Sequence, residues 1–148
     1  MNLFKAPSLE LDAPAGWRDR STYVLTGPST AGFSCSVVAT MEHNVIDQYL
    51  KRHVDIQLRA MQDKLPAFVV TQRREVVSDR FKHGEAVDFQ WTSAEVGASL
   101  HQHQLYALEA GTLFTVTATA LTSYWPEHRE MLQAIVASFQ PRDWRPAD

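Results

Sequence analysis

Apolar and polar residues alternate along most of this chain, and the main exception is one stretch in its first half. "STYVLTG" (21–27) and "GFSCSVVAT" (32–40) both alternate, and the breaker Gly27-Pro28 lies between them, so they predict a β-hairpin. From Ile46 the period changes. Ile46, Leu50, Val54, Leu58, Met61 and Leu65 recur every three or four residues, which predicts a helix with one buried stripe. Asn44 is its expected N-cap, Asp47 favours the positive end of the dipole, and Pro66 disfavours helix at Leu65. Alternation then returns in four runs: "AFVVTQRREVV" (67–77), "AVDFQWTS" (86–93), "SLHQHQLYALE" (99–109) and "TLFTVTATALT" (112–122). Gly97 and the "EAG" at 109–111 supply turns, so the runs predict an antiparallel meander. "SYWPEHREMLQAIVASF" (123–139) closes the pattern as a helix, with Pro126 in its first turn and a stripe of Trp125, Met131 or Leu132, Ile135 and Phe139. A short strand "SLELD" (8–12) is expected ahead of the hairpin.

This order predicts an α+β fold: an antiparallel sheet with two helices on one face, the other face open and concave. In "FTVTATALT", Thr115, Thr117 and Thr119 share one side, while Phe114, Val116, Ala118 and Ala120 share the other. An antiparallel sheet tolerates one solvated face, and two helices suffice to bury the opposite one. The chain reads as a single domain over 1–148, with a polar tail at 140–148 and no internal repeat.

Charge narrows the function classes. A net charge of −3, with 14 scattered Lys and Arg, lacks the basic stripe of a nucleic-acid binder. The single cysteine, Cys35, cannot form an intrachain disulfide and reads as a small buried hydrophobe. Glu10 and Asp12 interrupt the N-terminus where a signal peptide needs an apolar core, and no run suffices for a membrane span of about 20 residues. The expectation is a cytoplasmic protein with no direct membrane anchor.

Candidate chemistry is sparse. His101 and His103 share a strand face and could offer two ligands to a metal, but a zinc site needs a third and usually a fourth. His43, His53, His83 and His128 show no ligand spacing with them or with Cys35. The plain reading is a pair of exposed strand histidines, with no cofactor. "GPSTAG" is not a nucleophile elbow, and no glycine-rich phosphate loop precedes a helix. Glu75/Asp79 and Glu127/Glu130 read as solvated charge pairs, and the three arginines of "QRREVVSDR" as a charged strand edge. Trp17, Trp91 and Trp125 read as core, whereas Trp144 lies in the tail. Nothing nominates an enzyme.

The ordered set "PAGWRDRSTYVLTGP", "LPAF", "DFQW", "LHQHQLYALEAGTLFTVTATA" and "IVASFQPR" resembles the DcrB-like domain family over most of the chain, from about Leu3 to Arg142. Within it the likeness is nearest to the Eag chaperones of type VI secretion effectors. The resemblance implies a PsbP-like fold and a homodimer whose sheet surfaces hold hydrophobic N-terminal helices of a PAAR-containing effector, including its prospective transmembrane segments. DcrB relatives are envelope lipoproteins, and the missing signal and lipidation cysteine favour the chaperone branch. "ATMEHN" stands where that branch suggests an arginine–glutamate pair, a departure that affects contacts there.

Under this reading the partner-binding face comprises Gln102 and Gln104, Thr115 and Thr117 on the next strand, and Ser34, Ser36 and Val38 on the hairpin. Parity within a strand follows from the period of two; parity between strands depends on register. The alternative is a small-ligand or metal-binding regulator using the open sheet face and the His101/His103 pair.

Overall fold

The computed structural model describes residues 14–16, 22–43, 45 and 49–141. The expected strand at 8–12, the Asn44 cap, Asp47, Trp17 and Trp144 lie outside the described residues.

Six antiparallel strands form one sheet: β1 (Thr22–Thr30), β2 (Phe33–Glu42), β3 (Val69–Val76), β4 (His83–Ser93), β5 (Ala98–Glu109) and β6 (Thr112–Leu121), in the order β1-β2-β6-β5-β4-β3. Helix α1 (Leu50–Lys64) links β2 to β3, and α2 (Trp125–Ala137) follows β6 after one 3-10 turn at Thr122–Tyr124. The last four strands are the expected meander, and the β1–β2 hairpin adds to its free side through β2 and β6. Four antiparallel steps separate β2 from β3, so the two run parallel, and parallel strands need a crossover. Helix α1 is that crossover.

Both tight hairpins turn on an Ala-Gly pair with positive φ at both residues, Ala31-Gly32 (53° and 76°) and Ala110-Gly111 (50° and 78°). That is the backbone of a two-residue turn matched to strand twist. The breaker Gly27-Pro28 does not end β1. It lies inside the strand, where pairing shifts register between Thr26 and Ser29, and proline is tolerated because β1 is an edge.

The helices occupy opposite faces, which corrects the expectation that both pack on one. On one face α2 sets Trp125, Leu132 and Val136 against Cys35, Val37, Leu105, Ala107, Phe114, Val116, Ala118 and Ala120. On the other, Leu50 and Val54 of α1 meet Val87, Phe89, Tyr106, Leu108 and Leu113. Cross-strand partners Ala86/Leu105 and Glu85/Tyr106 fall on alternate sides, as a period of two requires. The described helix α1 runs from Leu50, with Tyr49 at the cap position and no acidic residue in its first turn. It packs on β4 and β5, and Arg73 ties it to the sheet by bonding Asp55 on the helix and Glu85 on β4. The rest of that face, across β1, β2, β6 and the first half of β5, is uncovered by any described helix.

Of the alternatives Met131 and Leu132, the latter is buried at 2% exposure while Met131 is 48% exposed. Leu132→Ala is therefore expected to cost about 2–5 kcal/mol and Met131→Ala under about 1 kcal/mol. Urea midpoints of the two variants measure the contrast.

Candidate functional site

Register decides which side chains share the uncovered half-face. Ser36 lies opposite Thr119, Val38 opposite Thr117 and Thr40 opposite Thr115. Across the next pair, Gln102 faces Thr119, Gln104 faces Thr117 and Tyr106 faces Thr115. Ser34, Ser36, Val38, Gln102, Gln104, Thr115 and Thr117 thus all lie on one side, each half-buried, with the more exposed Val24 beside Val38. The structure brings together every residue the sequence assigned to the partner-binding face. It adds Thr119, Trp91 and Tyr106.

The glutamines are held, not loose. Trp91 Nε1 donates to Gln102 Oε1 at 2.7 Å, and Gln102 Nε2 donates to Thr119 Oγ1 at 2.8 Å. One step along, the Tyr106 hydroxyl donates to Gln104 Oε1, and Gln104 Nε2 donates to Thr117 Oγ1 at 3.0 Å. Each amide is clamped between an aromatic donor and a threonine, so two parallel chains cross the sheet. The "FQW" of β4 lies opposite the "LHQ" of β5, so Trp91 reaches Gln102 diagonally, a contact visible only once the register is known.

The opposite face of β5 carries the histidines, and they are not exposed as expected. His101 and His103 are 5% and 4% exposed and grip one carboxylate. His101 Nε2 lies 2.8 Å from Asp88 Oδ2, and His103 Nδ1 lies 2.7 Å from Asp88 Oδ1. A carboxylate only accepts, so each facing nitrogen carries the proton. Gln90 Nε2 meets His101 Nδ1 at 3.2 Å, and the Trp125 indole stacks on the His101 ring at 4.0 Å between centroids. Burial would raise the Asp88 pKa, but the hydrogen bonds and charges of His101 and His103 outweigh it and hold the carboxyl well below the ordinary range. Nothing in the sequence points directly to this partner, because Asp88 stands between Val87 and Phe89, away from both histidines along the chain.

With both nearby imidazole nitrogens committed to Asp88, the pair has no common point for an ion. Among the described residues no group of three or more His, Cys, Asp or Glu could hold a metal. A cleft of about 320 Å3 opens beside α2, lined by Thr71, Gln72, Asp88, His101, Trp125, Arg129 and Gln133. Arg73 is absorbed by Asp55 and Glu85, while Cys35 is buried, its thiol pKa pushed up by burial. No described helix is long and apolar enough to cross a membrane.

Because the folded-state pKa of Asp88 is depressed, its stabilisation is complete above the unfolded value near 3.9 and fades as pH falls below it. An amide in its place sets an NH2 against one imidazole N–H. Asp88→Asn should cost about 1–3 kcal/mol at neutral pH. The deficit should begin to narrow by about pH 3, where protonation of the unfolded chain has started to remove the wild type's advantage. Urea unfolding of both proteins at the two pH values tests this.

The protein of unknown function PA94 from Pseudomonas aeruginosa has a similar structure, with TM-score 0.77 and 21% identity, covering 90% of this chain and 92% of that one. The cyanobacterial PsbP (CyanoP) from Synechocystis sp. PCC 6803 aligns with TM-score 0.58 and 11% identity, over 89% and 99% of the two chains. Identities this low establish the fold, which is PsbP-like. None of the curated proteins compared matches. The DcrB family model matches residues 9–138, which hold the whole described sheet and both helices, and the chain belongs to the DcrB family.

Proposed function

We propose that this DcrB-family protein is a non-enzymatic chaperone or adaptor of the Eag type, acting in the cytoplasm as a homodimer. Its client is the apolar N-terminal segment of a PAAR-containing type VI secretion effector, which it shields and helps to load. The supporting observation is that the seven residues chosen from the sequence lie together on the uncovered half of one sheet face.

The dimensions suit the role. Four strands spaced about 4.8 Å apart span about 14 Å, close to the 10–12 Å diameter of one helix. A client helix can therefore lie beside α1, one for each subunit. A prospective membrane helix exposed in cytosol costs about 25 cal/mol for every Å2 of apolar surface. Covering it removes that cost and keeps it from the producer's own membrane. Threonine, serine and glutamine leave the empty face wettable yet able to bond the client.

Pull-down from the native host, with mass spectrometry, should recover an effector bearing N-terminal apolar segments. Gln102→Ala/Gln104→Ala should remove most of it while the melting transition persists. Recovering no such protein, or undiminished capture by the folded double variant, would overturn this reading.

A further inference from the structure

The cleft beside α2 lies on the side of the sheet away from the glutamines, and the chaperone reading makes no use of it. Two local devices build it. In a regular strand neighbouring side chains point to opposite sides, yet Thr71 and Gln72 both line the cleft. The register shift of β3 between Val70 and Gln72 falls at this point and lets both turn the same way. Across from them Trp125, Arg129 and Gln133 are spaced by four, so one flank of α2 presents all three. The buried pair Asp88 and His101 completes the lining.

Two of these groups have a fixed hydrogen-bonding sign. A guanidinium only donates, and Arg129 has no ion pair or hydrogen bond among the described residues. Arg73, by contrast, is held by Asp55 and Glu85, and Arg80 donates to the Ala137 carbonyl at 3.0 Å. The acids of α2, Glu127 and Glu130, stand off the three- and four-residue spacing at which helix side chains meet Arg129. A carboxylate only accepts, and the two histidines take one position on each oxygen of Asp88, out of about four in all. The amides of Gln72 and Gln133, also without partners among the described residues, can serve either sign. Trp125 supplies the large apolar wall, with one ring face stacked on His101.

We infer that this cleft binds a small zwitterion, a molecule with a carboxylate at one end and a protonated amine at the other, as in free amino acids and short peptides. The carboxylate meets the Arg129 fork, the amine reaches toward Asp88, and the body lies along Trp125. A plain carboxylate leaves the Asp88 acceptor unmatched, and a plain amine leaves the guanidinium unmatched; a zwitterion answers both. The volume of about 320 Å3 is at the lower end of the roughly 300–1,000 Å3 of ligand pockets, which suits a molecule of this size. The site stands apart from the client face, so it does not depend on the chaperone reading.

The test titrates the full chain at low salt with four probes. L-norleucine and ε-aminocaproate carry both charges, at short and long separation; caproate carries only the carboxylate and hexylamine only the amine. Calorimetry gives the affinities, and two-dimensional amide NMR locates the binding. At least one zwitterion should bind with a Kd of about 1 mM or tighter, and the single-charge probes about ten-fold more weakly. Its shifts should centre on Thr71, Gln72 and Gln133. Arg129→Gln, at an exposed position, should keep the melting transition and lose about ten-fold in affinity. Asp88 anchors the core, so its part is read from the probes: caproate binding as tightly as the better zwitterion would overturn the assignment. Binding of neither zwitterion at about 10 mM, or undiminished binding by Arg129→Gln, would overturn the site itself.

Discussion

Everything in this fold depends on strand β5 keeping its register. The strand is paired on both edges and flanked by side chains on both faces, so a slip of one residue would exchange its two sets of partners. His101 and His103 would turn toward the threonines, and the glutamines would be driven against a buried carboxylate. The bonds from both histidines to Asp88 make that exchange costly, since an unpaired buried charge is among the most expensive errors a core can hold. The ionic grip on one face thereby sets the geometry of the amide chains on the other.

The distribution of the helices follows from connectivity. Reaching β3 from β2 requires crossing the sheet, and α1 makes that crossing while burying Leu50 and Val54 over β4 and β5. Helix α2 leaves the end of β6 and folds back over the opposite side. Each face thus receives one helix, too narrow for six strands. On the α1 side no described helix covers the hairpin β1–β2 and its neighbour β6, and apart from Val24 and Val38 that half-face is mostly serine, threonine and glutamine. Serine, threonine and glutamine there keep a half-exposed surface compatible with water.

Strand and helix identities were legible because period-two and period-3.6 patterns are strong over these lengths. The side chosen by each helix was not, since an apolar stripe does not say which face it will meet. A cue was present in "LYAL": Leu105, Tyr106, Ala107 and Leu108 are all buried, and a continuous apolar run marks a strand covered on both sides. The alternating "HQHQ" just before it misled in the other direction. Histidine is read as polar and exposed unless a partner is in view, and Asp88 enters view only through the β4–β5 register. The seven residues group under the family resemblance with parity inside each strand; that they share one side follows only from the register. The clamps on the glutamines depend on Trp91 and Tyr106, which look like ordinary core aromatics in the sequence.

The two outer strands share one defect. Pairing slips between Thr26 and Ser29 in β1 and between Val70 and Gln72 in β3. An unbroken edge is a template on which another copy can crystallise strand by strand, and a protein with a wide bare sheet face is at particular risk of growing into a fibre. Here each outer ladder is interrupted, and the proline in β1 removes a donor from that rim. A broad sheet face can therefore stay open while the two rims resist the addition of another strand.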